Sequence, residues 1–485
     1  MLLIGLLFSH SVKAQSFFGD FYKNPNKVMA MEPPKVGLGK FTPSFEDKQS
    51  MRAALCMLHY GNEDCIQIPL KESAFASSDN LEQMLYSGKN VIVNLDEIDQ
   101  ANLAKAKLPN TPWSDDYWPL ARGLLAFRYA DTKDYSLFWE FQKEFFDQNP
   151  TKEYLPDHID RLSPAEKYDL LVSDEKYTMT NSMWEDGQKY YDKYGAVEDW
   201  IGICHGWAIG SLNEPRPAKS VTLRSIDNQY DIKFYPADIK ALISLNWARK
   251  SIRTKAVGGR CHKKYSQIEK DENGRILDER CFDTNPGIFH LALINLIGKN
   301  QQGFVMDSTF DYAVWNQPVF AYDYSYINIR TDVTSDDWRG ARVLKDDFNK
   351  DIFKKYRAEN AKWIIGVRAK VTYANEVDPK VTETDSFEND KFITVVYHYD
   401  LEVDKDGRVL GGEWYSNKHP DFLWINRKGS IPITSADRTL LRDKVDLDSS
   451  SSDSIDLIKK MAQRTSRRYQ APLNIVVEKL IQMSK

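Results

Sequence analysis

Cys204 lies in the stretch Trp200-Ile-Gly202-Ile-Cys204-His205-Gly206-Trp207-Ala208, the part of the chain best suited to thiol chemistry. Glycines at 202 and 206 let the backbone turn tightly and approach a bound group. Residues Trp207 to Leu212 can start a helix closed by Asn213-Glu-Pro215, so the cysteine is expected at a helix head. There the positive end of the helix dipole favours thiolate and raises reactivity. The alternative is a small buried core residue, but such a cysteine usually sits among aliphatics without two glycines and a histidine beside it.

A thiolate nucleophile needs a histidine base and an acidic or amide group to orient it. Of the eight histidines, His205 adjoins the cysteine, but neighbouring side chains on a helix point apart. His290 lies in the apolar run Phe289–Ile297, read as a strand, and the following strand is Gly303–Thr309. A two-residue turn at Gly298-Lys299 would set His290 opposite Asp307, within hydrogen-bond reach. A longer loop over Asn300–Gly303 would shift that register. The reserve pair is His419 and Asp421, in the loop that follows Gly411-Gly-Glu-Trp414. His398, in a later strand, is as consistent with a surface position. Metal-ligand spacing is absent, because Cys261-His262 with Cys281 lacks a second closely spaced pair. No glycine loop for phosphate occurs either.

Five cysteines leave an odd thiol. Cys56 and Cys65 could close one local loop, and Cys261 and Cys281 another, leaving Cys204 free. The opening run Met1–Ala14 is apolar with small residues at Val12 and Ala14, which reads as a secretory signal cut after Ala14, although it lacks a basic start. Export to a secreted, periplasmic or cell-surface location is therefore expected. No later stretch approaches the roughly 18 apolar residues of a membrane span. A net charge of −5 gives no reason to expect nucleic acid as a partner.

These residues must be positioned by an α+β fold with mostly helices first and strands later. The chain divides into a signal at 1–14, an irregular and helical region at 15–110, a catalytic domain at 111–445, and a Ser-rich linker with C-terminal helices at 446–485. Ser163-Pro-Ala-Glu166 reads as a capped helix start, with helix through 195. Strands are expected at 232–235, 289–297, 304–306, 363–373 and 392–403. The last turns at Asp404-Lys-Asp-Gly407 and returns through Arg408–Trp414. Two amphipathic segments, 454–469 and 472–484, should form a helical hairpin.

Several blocks in order resemble the transglutaminase elicitor family. They are Trp113-Ser-Asp-Asp-Tyr117-Trp118-Pro119, Ser163–Tyr168, Gly202–Ala208 and Tyr235–Leu242. Asn285-Pro-Gly-Ile-Phe-His290, Val314-Trp-Asn-Gln-Pro318 and Gly411–Trp414 with His419-Pro-Asp-Phe-Leu-Trp424 complete the set. The resemblance implies a papain-like transglutaminase core with an antiparallel sheet, and protein-glutamine γ-glutamyltransferase activity with Cys204 as nucleophile. His290 and Asp307 rest on spacing alone. Trp207 and Trp315 are expected to line the substrate groove, with core packing as the alternative. Partners would be proteins bearing Gln and Lys, and no cofactor is expected. Calcium dependence is compatible with the resemblance, but no loop has regular carboxylate spacing. Two other readings stand beside this one: a cysteine peptidase on the same core, and an inactive relative that binds through its aromatic surface.

Overall fold

A computed structural model describes residues 17–37, 91–131, 138–261, 263, 265–310 and 313–485. Capping chemistry fixes where the main helices begin. Ser163 and Glu166 form a reciprocal capping box ahead of the helix Pro164–Leu171, with Pro164 at its first turn. A second helix, Thr178–Tyr194, ends at Gly195, whose φ of 74° is the left-handed conformation glycine adopts without strain. The helices Cys204–Asn213 and Pro236–Arg249 then pack against each other. Near the C-terminus, Ser452–Tyr469 and Asn474–Ser484 are the two expected helices, but instead of closing on each other as a hairpin they dock separately: the first packs on Thr178–Tyr194 and the second on Pro236–Arg249.

The strands are β1 (Lys35–Gly37), β2 (Lys105–Lys107), β3 (Val221–Arg224), β4 (Asp231–Phe234), β5 (Thr254–Gly258), β6 (Phe304–Asp307) and β7 (Asn316–Asn328). They continue as β8 (Val333–Ser335), β9 (Val343–Leu344), β10 (Trp363–Asn375), β11 (Lys391–Val403), β12 (Val409–Gly411) and β13 (Phe422–Asn426). The main sheet runs β1-β11-β10-β7-β6-β13-β5, and every pairing in it is antiparallel. β12 lies beside β11, as the hairpin signal at Asp404–Gly407 requires. Strands β3 and β4 form a separate ribbon.

Apolar burial divides into two main clusters. The helical one gathers Trp113, Trp118, Tyr168, Trp184, Trp207 and Trp247. The sheet cluster is built on alternation, with Tyr322, Tyr324 and Tyr326 along β7 and Tyr397 and Tyr399 along β11. Phe18 and Phe21 of the helix Phe17–Lys23 join a smaller cluster with Phe353 and Tyr415. That helix is held further by Asp332, whose carboxylate accepts from the N–H groups of Phe18 and Gly19. The sheet's deepest charges are paired: Arg357 is shared among Asp351, Asp400 and Glu402, all buried.

One expected strand is a helix. Residues Pro286–Ala292 are α-helical, and Leu293–Lys299 continues as a π-helix. Asn285 caps the start through its side chain, with Pro286 at the first position. An apolar run of this length reads as buried strand or buried helix with equal ease. With the strand goes the proposed hairpin: the partner of Asp307 across the ladder is Asn316, not His290. Most of the expected irregular and helical region at 15–110 lies outside the described residues, as do the signal segment and the pair Cys56 and Cys65.

Candidate active site around Cys204

Two glycines place Cys204. A Cβ on Gly202 would meet the Tyr117 carbonyl oxygen at 2.4 Å, and one on Gly206 would meet the Ser244 carbonyl oxygen at 2.1 Å. The first allows the Ile203 N–H to donate to the Tyr117 carbonyl at 2.8 Å, and the second lets two helices touch backbone to backbone. The segment 113–118 is in turn fixed to the Pro236–Arg249 helix. Asp115 accepts from the Trp118 indole and the Ser244 hydroxyl, and Lys240 donates to the Ser114 carbonyl. Cys204 is thereby the first residue of its helix, as the sequence implied.

The thiol is buried, with 5% of the residue exposed. The Asn316 Nδ2 amide donates to its Sγ across 3.5 Å, and the Val314 carbonyl oxygen is 3.8 Å away. Burial pushes the thiol up to about 11, partly offset by hydrogen bonds from the side chain and backbone of Asn316; the Glu376 and Asp307 carboxylates push further up. At neutral pH the sulfur is therefore a protonated thiol, despite its helix-head position. His205 is also pushed down, to about 4, by burial and by Arg249, and it contacts the Ala248 backbone rather than the sulfur.

Asp307 ends β6 fully buried. Its Oδ1 accepts from the Trp315 N–H at 2.9 Å and from the Thr309 hydroxyl at 2.9 Å, while Oδ2 has no hydrogen-bond partner among the described residues. Burial raises this carboxyl to about 7, against the hydrogen bonds from Trp315 and Thr309 and the charge of Arg260. Asp307 and Cys204 thus share one electrostatic environment.

His290 does not join them. Its Nδ1 lies 2.8 Å from the Tyr399 hydroxyl, and its ring meets Tyr324 edge-on at 4.6 Å. Burial alone lowers it to about 3, with no charged group contributing. His419 stacks on Trp414 at 4.8 Å and is lowered by burial to about 4. Asp421, two residues further on, is buried, and its carbonyl accepts from the Gly259 N–H and the Thr284 hydroxyl. Neither the predicted nor the reserve histidine has a hydrogen bond to the sulfur among the described residues.

The aromatic groove also needs correction. Trp207 has no exposed surface and spends its indole N–H on the Trp113 carbonyl at 2.9 Å, so it is core. Trp315 is buried as well, edge-on to Tyr117 at 5.1 Å. What the sequence reading missed is Asn316, the side chain that touches the sulfur. Its neighbour Gln317 donates to Glu376 at 2.7 Å, which brings a further carboxylate into range. Both lie in the Val314–Pro318 block, and the available signal was the alternation that runs from there along β7.

Cys261 and Cys281 form a disulfide, leaving Cys204 as the free cysteine among the described residues. No group of metal-ligating side chains occurs among them, and no helix is long and apolar enough to cross a membrane.

Comparison with known proteins places this geometry in context. The crystal structure of the GP42 transglutaminase from Phytophthora sojae aligns over 81% of this chain and 99% of that one, at 19% identity and a TM-score of 0.48. No curated protein matches the chain in sequence. The sequence profile described as transglutaminase elicitor matches residues 79–436, which include Cys204, Asn316 and the whole main sheet apart from β1. The chain belongs to the transglutaminase elicitor family.

Proposed function

We propose that the protein is an exported protein-glutamine γ-glutamyltransferase in which Cys204 carries the acyl group. The observation that supports this most directly is a free cysteine at a helix head, with an amide donor already on its sulfur. Family membership supports the reaction class. The Cys261–Cys281 disulfide favours an oxidising compartment and so export.

In this reading the sulfur attacks the side-chain carboxamide carbon of a substrate Gln. The S–H proton passes to a base and then to the departing nitrogen, which leaves as ammonia. The thioester is resolved by a Lys amine, giving an isopeptide bond, or by water, giving Glu. Orphan N–H groups at the head of the Cys204–Asn213 helix are suited to the oxyanion. For the base, the unpartnered Oδ2 of Asp307 favours that carboxylate, which shares its electrostatic environment with the sulfur. His290 keeps Nδ1 on Tyr399 and has Nε2 without a partner among the described residues, but no hydrogen bond links that ring to the sulfur. The same machinery facing a backbone carbonyl would make a peptidase.

Incubation with a Gln-bearing protein and a small labelled primary amine, followed by mass spectrometry, separates these outcomes. Label on Gln with ammonia released, lost in Cys204→Ala, is the expected result. Backbone cleavage without amine uptake would replace the reading by a peptidase, and no Cys204-dependent product of any kind would refute catalysis.

A further inference from the structure

Asn316 is held from both ends. Its Oδ1 accepts from the Trp424 indole N–H at 2.8 Å, and its Nδ2 faces the Cys204 sulfur at 3.5 Å. An indole nitrogen only donates, so it binds the oxygen end of a carboxamide and never the nitrogen end. The orientation of the amide is thus chosen by Trp424, and the end left over for the sulfur is the donor. Trp424 is fixed in its turn, because β13 is sandwiched: it pairs with Val305 of β6 on one side and with Ala256 of β5 on the other. Asn316 sits opposite Asp307 in the next ladder.

Such an arrangement does little for a neutral thiol, which is a weak acceptor. It matters once the S–H bond breaks and the electron pair stays on sulfur. We infer that Asn316 is a catalytic residue whose carboxamide stabilises the Cys204 thiolate, and that Trp424 is the positioning residue that prevents the amide from turning its oxygen to the sulfur. The inference deepens the transferase reading and rests on it for the role in turnover, but the contact with the thiolate is testable without turnover. A turned amide would set an oxygen against the anion, so losing the Trp424 donor acts through electrostatics as well as packing. Hydrogen bonds to ionised groups are the strong class. The loss of one should lower the thiolate fraction by about tenfold to a hundredfold.

The test compares the full-length protein with Asn316→Ala and Trp424→Phe. The first readout is the rate of Cys204 alkylation by iodoacetamide between pH 7 and pH 10, mapped by peptide mass spectrometry. The second is kcat and KM for amine incorporation. Asn316→Ala should alkylate about tenfold or more slowly at pH 8, with its profile displaced upward by about one unit or more. Its kcat should fall about a hundredfold with KM near the parent value. Trp424→Phe should move both readouts the same way by less. If Asn316→Ala fails to fold, Trp424→Phe decides the matter alone. A folded variant with the parent alkylation profile overturns the inference. If the parent incorporates no amine, the transferase reading fails, and the alkylation profile still judges Asn316.

Discussion

His290 and Tyr399 form a closed pair, Nδ1 to hydroxyl at 2.8 Å, inside the aromatic face of the sheet. Burial keeps the imidazole neutral, so folding disfavours its protonated form. A histidine lowered in this way contributes stability that is present above its unfolded pKa near 6.5 and is lost as pH falls toward about 3. Replacing it by glutamine, which does not titrate, removes this dependence. Between pH 7 and pH 5 the parent should lose stability relative to His290→Gln by on the order of 2 kcal/mol, read from denaturant melts. Parallel loss at both pH values would show that the ring is protonated in the folded state.

Asp307 behaves with the opposite sign. Its folded pKa is raised, so its contribution is full below about 4 and is lost as pH rises through about 7. Asp307→Asn keeps an acceptor for the Trp315 N–H and removes the charge. The stability of this variant relative to the parent should rise between pH 4 and pH 7 and then level off. If Asp307 is the base, its activity should also fall by about a hundredfold or more. An unchanged rate would return the assignment to His290 or His419, and their glutamine variants would choose between them.

Thiol mapping tests the cysteine assignments. Alkylation of the folded, unreduced protein should label Cys204 and spare Cys261 and Cys281. The sequence reading extends the same protection to Cys56 and Cys65. Changing Cys261 and Cys281 together to serine should cost about 3 kcal/mol for a loop of this length. Labelling of Cys261 in the unreduced, folded protein would contradict the pairing.

Gly206→Ala should separate two helices, because the new methyl would meet the Ser244 carbonyl at 2.1 Å. That contact is backbone on one side and helix on the other, so neither can yield cheaply. A loss of about 1–3 kcal/mol is expected, with Cys204 displaced along with its helix. Calorimetry gives the stability, and the alkylation rate of Cys204 reports the displacement. An unchanged melt would mean the helices part freely.

Much of the scaffold could be read from residues. Ser163-Pro-Ala-Glu166 announced its helix because capping is local chemistry, and Asp404–Gly407 announced its hairpin because the turn needs glycine at positive φ. The disulfide followed from an odd count of cysteines. Residues 289–297 misled because a mostly apolar run carries no clear period, although Asn285-Pro286 is itself a helix-start signal. Trp207 misled because type cannot tell an indole on a wall from one in a core. Asn316 was hidden for a different reason: its role depends on Trp424, more than a hundred residues away, and only the sheet brings them together.

The outer side of β11 is closed by pieces that do not form one strand. β1 covers Ile393 to Val395, the Pro34 carbonyl takes the Val396 N–H, and the Tyr415 N–H goes to the His398 carbonyl. The Glu413 carbonyl takes the Asp400 N–H, and β12 pairs with Glu402 and Val403. A strand from another copy would need an uninterrupted row of free donors and acceptors, and this border offers it none. Sheet-to-sheet growth between molecules is therefore blocked along this side by a patchwork of turns. Loss of residues 17–37 would unseal only the stretch from Ile393 to Val396, while residues 409–415 would keep the remainder shut.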